Sequence, residues 1–279
     1  MNYFTHRGES FTTGDLLLDY GYFIAAILFV IGLKYQSSPA TARKGNLWAG
    51  GGMVLAILLT LFLQKDIHGN GIGLSNLVII LTVILIGTII GSLIARKVKM
   101  TAMPQLVSFY NATGGAASAL VALTEFYNPL NNQVLVTLLG VVVGNITFSG
   151  SMIAYGKLDG KVKDIFSPVM RYVNLFFLLL IVTLVISVLI PDLDPAIRKN
   201  LFLSLVFLSL VYGISFVMPI GGADMPVVIS LLNSLSGIAA ALAGFIYNNQ
   251  AMILGGILVG AAGTILTILM CRCHEPFAD

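Results

Sequence analysis

A chain of 279 residues that is 57% hydrophobic and only 10% charged falls far below the roughly 25% charged residues of soluble domains. That composition excludes a water-soluble enzyme and points to an integral membrane protein. The formal net charge of +3 reports membrane topology, and a nucleic-acid reading has no support.

The first sixteen residues form a polar segment with His6, Arg7, Glu9 and Asp15. They lack a basic region followed by a cleavable apolar stretch, so the first apolar run is expected to act as its own insertion signal. Apolar runs long enough to cross a bilayer as helix follow at 17–35, 46–64, 73–95, 103–124, 133–156, 168–190, 200–220, 226–247 and 251–271. The predicted fold is all-α, a polytopic bundle of about nine transmembrane helices spanning 17–272, with a short tail at 273–279. No segment between spans offers the ~50 residues a soluble domain needs. With the N-terminus outside, eleven of the fifteen lysines and arginines fall on inner segments, among them Arg43, Lys44, Lys157 and Arg171, so the positive-inside rule selects an N-out, C-in topology.

Gly87 with Gly91 on the third span, Gly140 with Gly144 on the fifth and Gly256 with Gly260 on the ninth repeat a small-xxx-small spacing that lets helix backbones come close. On the fourth span Asn111, Gly114, Gly115 and Ser118 share one face. The fifth sets Asn145 and Ser149 one turn apart, with Ser151 turned away from both. A serine in a membrane helix most often bonds its own i−4 carbonyl. Asparagine amides are harder to satisfy that way, and Asn111, Asn145 and Asn233 suggest either interhelical bonds or contact with internal water.

The eighth span is the most informative. In DMPVVISLLNSLSG (224–237) an acid and a proline open an apolar helix on which Ser230, Asn233, Ser234 and Gly237 make one stripe of polar and small residues. Such a stripe faces other helices or water, not lipid. Ionisable residues are nearly absent from span interiors: Asp19, Glu125, Arg171 and Asp224 lie near span ends, and His6, His68 and His274 lie outside the hydrocarbon. Any proton path in this chain must therefore run largely over amides, hydroxyls and water, or borrow a titrating group from another subunit. Cys271 and Cys273 form a C-x-C pair with only His274 nearby, which reads as free thiols at a helix end, and no metal site is expected. Gly69, Gly71 and Gly73 do not make a dinucleotide fingerprint, and GSMIAYGKL (150–158) has the wrong spacing for a phosphate loop, so no cofactor is expected to bind this chain.

The segments AILFVIGLKYQSSPATARKGN (26–46), ARKVKMTAMPQLVSFYNATGG (95–115), FSGSMIAYGKLDGK (148–161), GGADMPVVISLLNSLSG (221–237) and GGILVGAAGTILTILMCR (255–272) resemble, in order and spacing, the membrane domain of the beta subunit of proton-translocating NAD(P)+ transhydrogenase. The resemblance implies a multi-pass subunit of the cell inner membrane that conducts protons while hydride passes between NAD(H) and NADP(H) in soluble domains. Its implied partners are an alpha subunit and an NADP-binding domain, in a dimeric complex. It also assigns Asn233 and Ser151 to the proton path. Asn111 stands where some members carry a histidine tied to protonation and others an asparagine. Asp224 matches an acid that communicates with the NADP(H) domain, and Gly256, Gly260 and Gly263 match glycines of the last helix. Family beta subunits continue into an NADP(H)-binding domain, whereas this sequence stops at CRCHEPFAD, so that domain is expected from a separate gene or from a longer parent chain. Two other readings of the polar stripes stay open: a stand-alone transporter or channel for a small solute, and a non-conducting membrane anchor.

Overall fold

The computed structural model describes residues 5–6, 9–10, 13–63, 71–128, 133–191 and 193–274. Within them lie nine helices long and apolar enough to cross a membrane, and the chain is a multi-pass membrane helix bundle. The helices are α1 (Thr13–Gln36), α2 (Ala42–Leu63), α3 (Leu74–Lys97), α4 (Met103–Phe126), α5 (Val134–Leu158), α6 (Val169–Val188), α7 (Pro195–Val217), α8 (Met225–Ile246) and α9 (Gln250–His274). Ahead of them Thr5–His6 pairs antiparallel with Glu9–Ser10. The remainder of the polar N-terminal segment apart from the start of α1, together with His68 and the tail beyond His274, lies outside the described residues.

Helix ends differ from the apolar runs where capping chemistry, not hydropathy, sets them. α7 starts at Pro195, ahead of the apolar run, because the Asp194 carboxylate accepts the Ala196 N–H at 2.7 Å and proline at the first turn has no N–H to leave unpaired. α4 and α8 share one entry: a 3₁₀ turn (Met100–Ala102 or Gly222–Asp224) runs into a Met-Pro step. Many hydroxyls facing hydrocarbon are satisfied inside their own helix, as with Thr82 on Val78 at 2.7 Å and Thr183 on Leu179 at 2.8 Å. That is what a solvent without hydrogen-bonding capacity requires.

The chain divides into two units, Met1–Val98 and Lys99–Asp279. In the first, α1 packs along α2. A methyl group at Gly45 would stand 2.6 Å from the Gly32 carbonyl oxygen, so the two backbones touch. Tyr22 and Thr60 join their hydroxyls across the pair at 2.7 Å. No described residue of α3 is buried, and Gly87 and Gly91 face open space, so their spacing serves no contact within the described residues.

In the second unit α5 is central, packed against α4, α7 and α8, while α9 covers α8 and α6 covers α7. One apolar core, with Leu138, Val141, Val185 and Phe202, ties α5 to α6 and α7. Another, with Ala154, Val217, Met225 and Leu232, ties α5 to α7 and α8. Apolar side chains such as Phe176, Phe207 and Ile265 point outward, which a bilayer makes favourable.

Candidate functional site

Close backbone approach sets the site. A methyl group at Gly144 of α5 would stand 2.8 Å from both the Ala119 nitrogen and the Gly115 carbonyl oxygen of α4, so these glycines let the two helices touch. Gly114, expected on the same face, points outward into open space, because it stands about 100° around the helix from Gly115.

The contact buries a line of polar groups across three helices. Ser108 of α4 donates its hydroxyl to the Ser151 carbonyl of α5 at 2.8 Å. About one turn further along α4, the Asn111 amide donates to the Ile229 carbonyl of α8 at 3.3 Å. Ser236 of α8 returns a long 3.4 Å bond to the Asn111 carbonyl. The Ser151 hydroxyl is fully buried, yet has no hydrogen-bond partner among the described residues. Leaving such a group unpaired costs about 1–3 kcal/mol, and an aliphatic residue would avoid that cost. Asn233, half-buried, lies one helical turn from the Ile229 carbonyl that Asn111 reaches. The three residues assigned to the proton path by resemblance thus come from three helices that meet, with Ser108 linking two of them. Sequence reasoning missed Ser108, although it stands one turn before Asn111 on the same face.

The α8 stripe does not act as one surface. Ser230, Ser234 and Gly237 turn to α9: Ser234 donates to the Gly260 carbonyl at 2.7 Å and meets the Thr264 hydroxyl at 2.7 Å, while Ser230 donates to the Gly263 carbonyl at 3.2 Å. Gly256, Gly260 and Gly263 are buried in this seam. Asn233 sits between that seam and the α4 contact made through Ile229 and Ser236. α8 therefore has Asn111 of α4 along one flank and the α9 glycines along the other.

Asp224 is exposed in the N-cap position of α8, but its carboxylate makes no capping bond, so its charge remains available at a helix N-terminus. Asn145 serves the interhelical role, donating to the Ser209 hydroxyl of α7 at 2.9 Å and to the Val206 carbonyl at 3.3 Å. Ser149 bonds the Asn145 carbonyl four residues back at 2.9 Å, as the usual habit of membrane serines predicts. Cys271 is a free, exposed thiol, while the side chains of Cys273 and His274 lie outside the described residues. No cluster of His, Cys, Asp or Glu fit to hold a metal occurs among the described residues.

Comparison with known proteins supplies the family. The family model for the NAD(P) transhydrogenase beta subunit matches residues 18–275. A protein named NAD(P) transhydrogenase subunit beta, from Rhodospirillum rubrum, is 39% identical over 264 residues, covering 90% of this chain and 54% of the relative. A second R. rubrum sequence of that name matches to the same extent. This chain thus spans about half the length of the curated relatives it matches. Since the matched region takes in all of α4 to α8, and with them the Ser151, Asn111 and Asn233 line, the chain that folds this way belongs to the NAD(P) transhydrogenase beta-subunit family.

Proposed function

We propose that this chain is the membrane part of a proton-translocating NAD(P) transhydrogenase. It conducts protons while hydride passes between NAD(H) and NADP(H), bound on soluble domains contributed by an alpha subunit and an NADP-binding domain. The observation that carries this reading is the buried, unpaired Ser151 hydroxyl at the α4–α5–α8 junction. A hydroxyl that both donates and accepts is suited to relay a proton in a region that holds no carboxylate or histidine among the described residues. Asn111 and Asn233, on the two helices α4 and α8 that pack against α5, supply further groups of both kinds. Asp224 is the point at which the NADP(H) domain acts on α8, and the α9 glycines carry the movement of that domain to the same helix. The complex is a dimer in the cell inner membrane.

Ser151→Ala separates this role from a structural one. Removing an unpaired buried hydroxyl is expected to leave thermal stability unchanged or raise it, by up to about 1–3 kcal/mol, while proton-coupled hydride transfer falls. Thermal unfolding and turnover of the reconstituted complex measure the two effects. A destabilised protein with normal specific turnover would make Ser151 a packing residue.

The proposed orientation is N-out and C-in. Cysteines introduced at 36–45, 97–102 and 158–167 are expected to label from the cytoplasm, and those at 66–72, 126–132 and 192–197 from outside, as the bias of basic residues requires. Reversed labelling at any two of these loops would overturn the topology.

A further inference from the structure

Lys157 is a buried cation that the path does not use. Its side chain is 2% exposed, and its ammonium makes three bonds: to the Asp164 carboxylate at 2.8 Å, to the Met218 carbonyl at 2.6 Å and to the Ile220 carbonyl at 2.8 Å. A lysine ammonium has three N–H donors, and all three are spent. Burying a charge this completely is costly unless every donor is matched. An ordinary lysine at a helix end would instead extend into water or the headgroups, so the arrangement calls for a reason beyond topology.

The local chain is built to deliver this contact. α5 ends at Leu158 in a glycine cap: Gly160 has a positive φ of 72°, its N–H bonds the Lys157 carbonyl at 3.0 Å, and the Lys161 N–H bonds the Gly156 carbonyl at 2.9 Å. This pairing fixes where the helix stops and holds Lys157 in its last turn. The following loop returns along α7, where the Ile165 N–H bonds the Met218 carbonyl at 3.4 Å and Phe166 lies beside Gly221. The second acid of the loop is engaged elsewhere. Asp159 pairs with exposed Lys161, and through that hydrogen bond and its charge raises the Lys161 pKa above the ordinary lysine value. Asp164 is therefore the carboxylate committed to Lys157.

The two carbonyls that Lys157 grips lie on the first and third residues beyond α7, where the negative end of the helix dipole favours a cation. They also start the short connection Met218–Gly221 that leads directly into the Gly222–Asp224 turn and α8. We infer that Lys157 is a positioning residue: it fastens the ends of α5 and α7 and the 163–168 loop into one block, and so fixes the turn that presents Asp224 to the nucleotide-binding side. The functional half of this inference rests on the role proposed for Asp224. The geometric half does not.

The test uses the natural full-length protein, in proteoliposomes with the subunits that co-purify with it, and a spin label on Ala223→Cys after replacement of the native cysteines. Lys157→Met keeps the side-chain length and removes all three bonds. Asp164→Asn keeps the two carbonyl bonds and removes the counter-charge. Label mobility at 223 is expected to rise strongly in Lys157→Met and less in Asp164→Asn, with no change at a control label on Leu203→Cys. Proton-coupled turnover is expected to fall at least about tenfold in Lys157→Met, since displacing a working group by an ångström can cost about a hundredfold. Lys157→Arg, which restores the charge, is expected to recover part of both signals. Unchanged mobility at 223 in both variants, or raised mobility with normal proton-coupled turnover, would overturn the inference. Should Lys157→Met fail to assemble, the mobility and turnover of Asp164→Asn decide it. Proton uptake by the wild-type complex tests the proposed function separately: its absence refutes that reading, while the mobility at 223 still decides whether Lys157 holds the turn.

Discussion

Asn233→Leu is expected to cut proton-coupled hydride transfer at least about tenfold, or about 1.4 kcal/mol in the barrier, while the complex still assembles. Asn233 is half-buried on α8 between the Asn111 contact and the α9 seam, and its amide has no hydrogen-bond partner among the described residues. An amide in that position can both donate to and accept from the groups along a proton path. Leucine can do neither, and makes the site apolar. If the asparagine acted only as interhelical glue, its loss would cost about 0.6–2 kcal/mol of association, and whatever assembled would still couple. Ser230→Ala provides the contrast. Ser230 bonds the Gly263 carbonyl and accepts from Thr267, so alanine is expected to cost only the ~0.6 kcal/mol of an average membrane hydrogen bond. Specific turnover normalised to assembled complex checks both, and a normal value for Asn233→Leu would return the residue to a packing role.

The second large effect is steric. A methyl group at Gly237 would collide with the Gly260 nitrogen, and one at Gly256 would stand 2.6 Å from the Gly237 carbonyl oxygen and collide with the Ala241 nitrogen. At Gly263 the nearest atom would be the Ser234 nitrogen at 2.9 Å, whereas at Gly260 nothing comes closer than 3.4 Å. The shortest contact at each of Gly237, Gly256 and Gly263 is to backbone, which cannot swing aside. Gly237→Ala and Gly256→Ala are therefore expected to destabilise the α8–α9 pair by about 1–3 kcal/mol, Gly263→Ala by less, and Gly260→Ala hardly at all. Thermal unfolding in detergent gives the ranking. Equal effects at Gly256 and Gly260 would contradict the register of this seam.

Hydropathy alone located the nine spans, because a bilayer tolerates only long apolar helices with their backbone bonds satisfied internally. It misplaced helix ends where polar caps extend the helix past the apolar run, as at Asp194 and Pro195. Glycine spacing was a poorer guide. Gly144 and Gly256 mark true backbone contacts, while Gly87, Gly91 and Gly114 meet open space, since spacing identifies a face that could pack without identifying what packs on it. The stripe on α8 was visible, but its division between two neighbouring helices was not. One helix face about 100° wide can span two interfaces, and only tertiary packing assigns each residue to one. Lys157 read as one of many inner-side cations, because its matching groups are two main-chain carbonyls some sixty residues away that carry no signature in sequence. The roles proposed for Asn111, Ser151, Asn233, Asp224 and the α9 glycines rest on family resemblance. What the fold adds is that α8 touches all of their neighbourhoods.

Coupling itself is the most direct test. The natural full-length complex, reconstituted in sealed vesicles with a trapped pH-sensitive dye, is supplied with NADH and an oxidised NADP+ analogue outside, and hydride transfer and luminal pH are recorded together. Proton conduction by this chain requires a luminal pH change that starts and stops with hydride transfer, faster hydride transfer once an uncoupler dissipates the gradient, and loss of the pH change in Asn233→Leu. Hydride transfer at full rate with no luminal pH change in tightly sealed vesicles would contradict it.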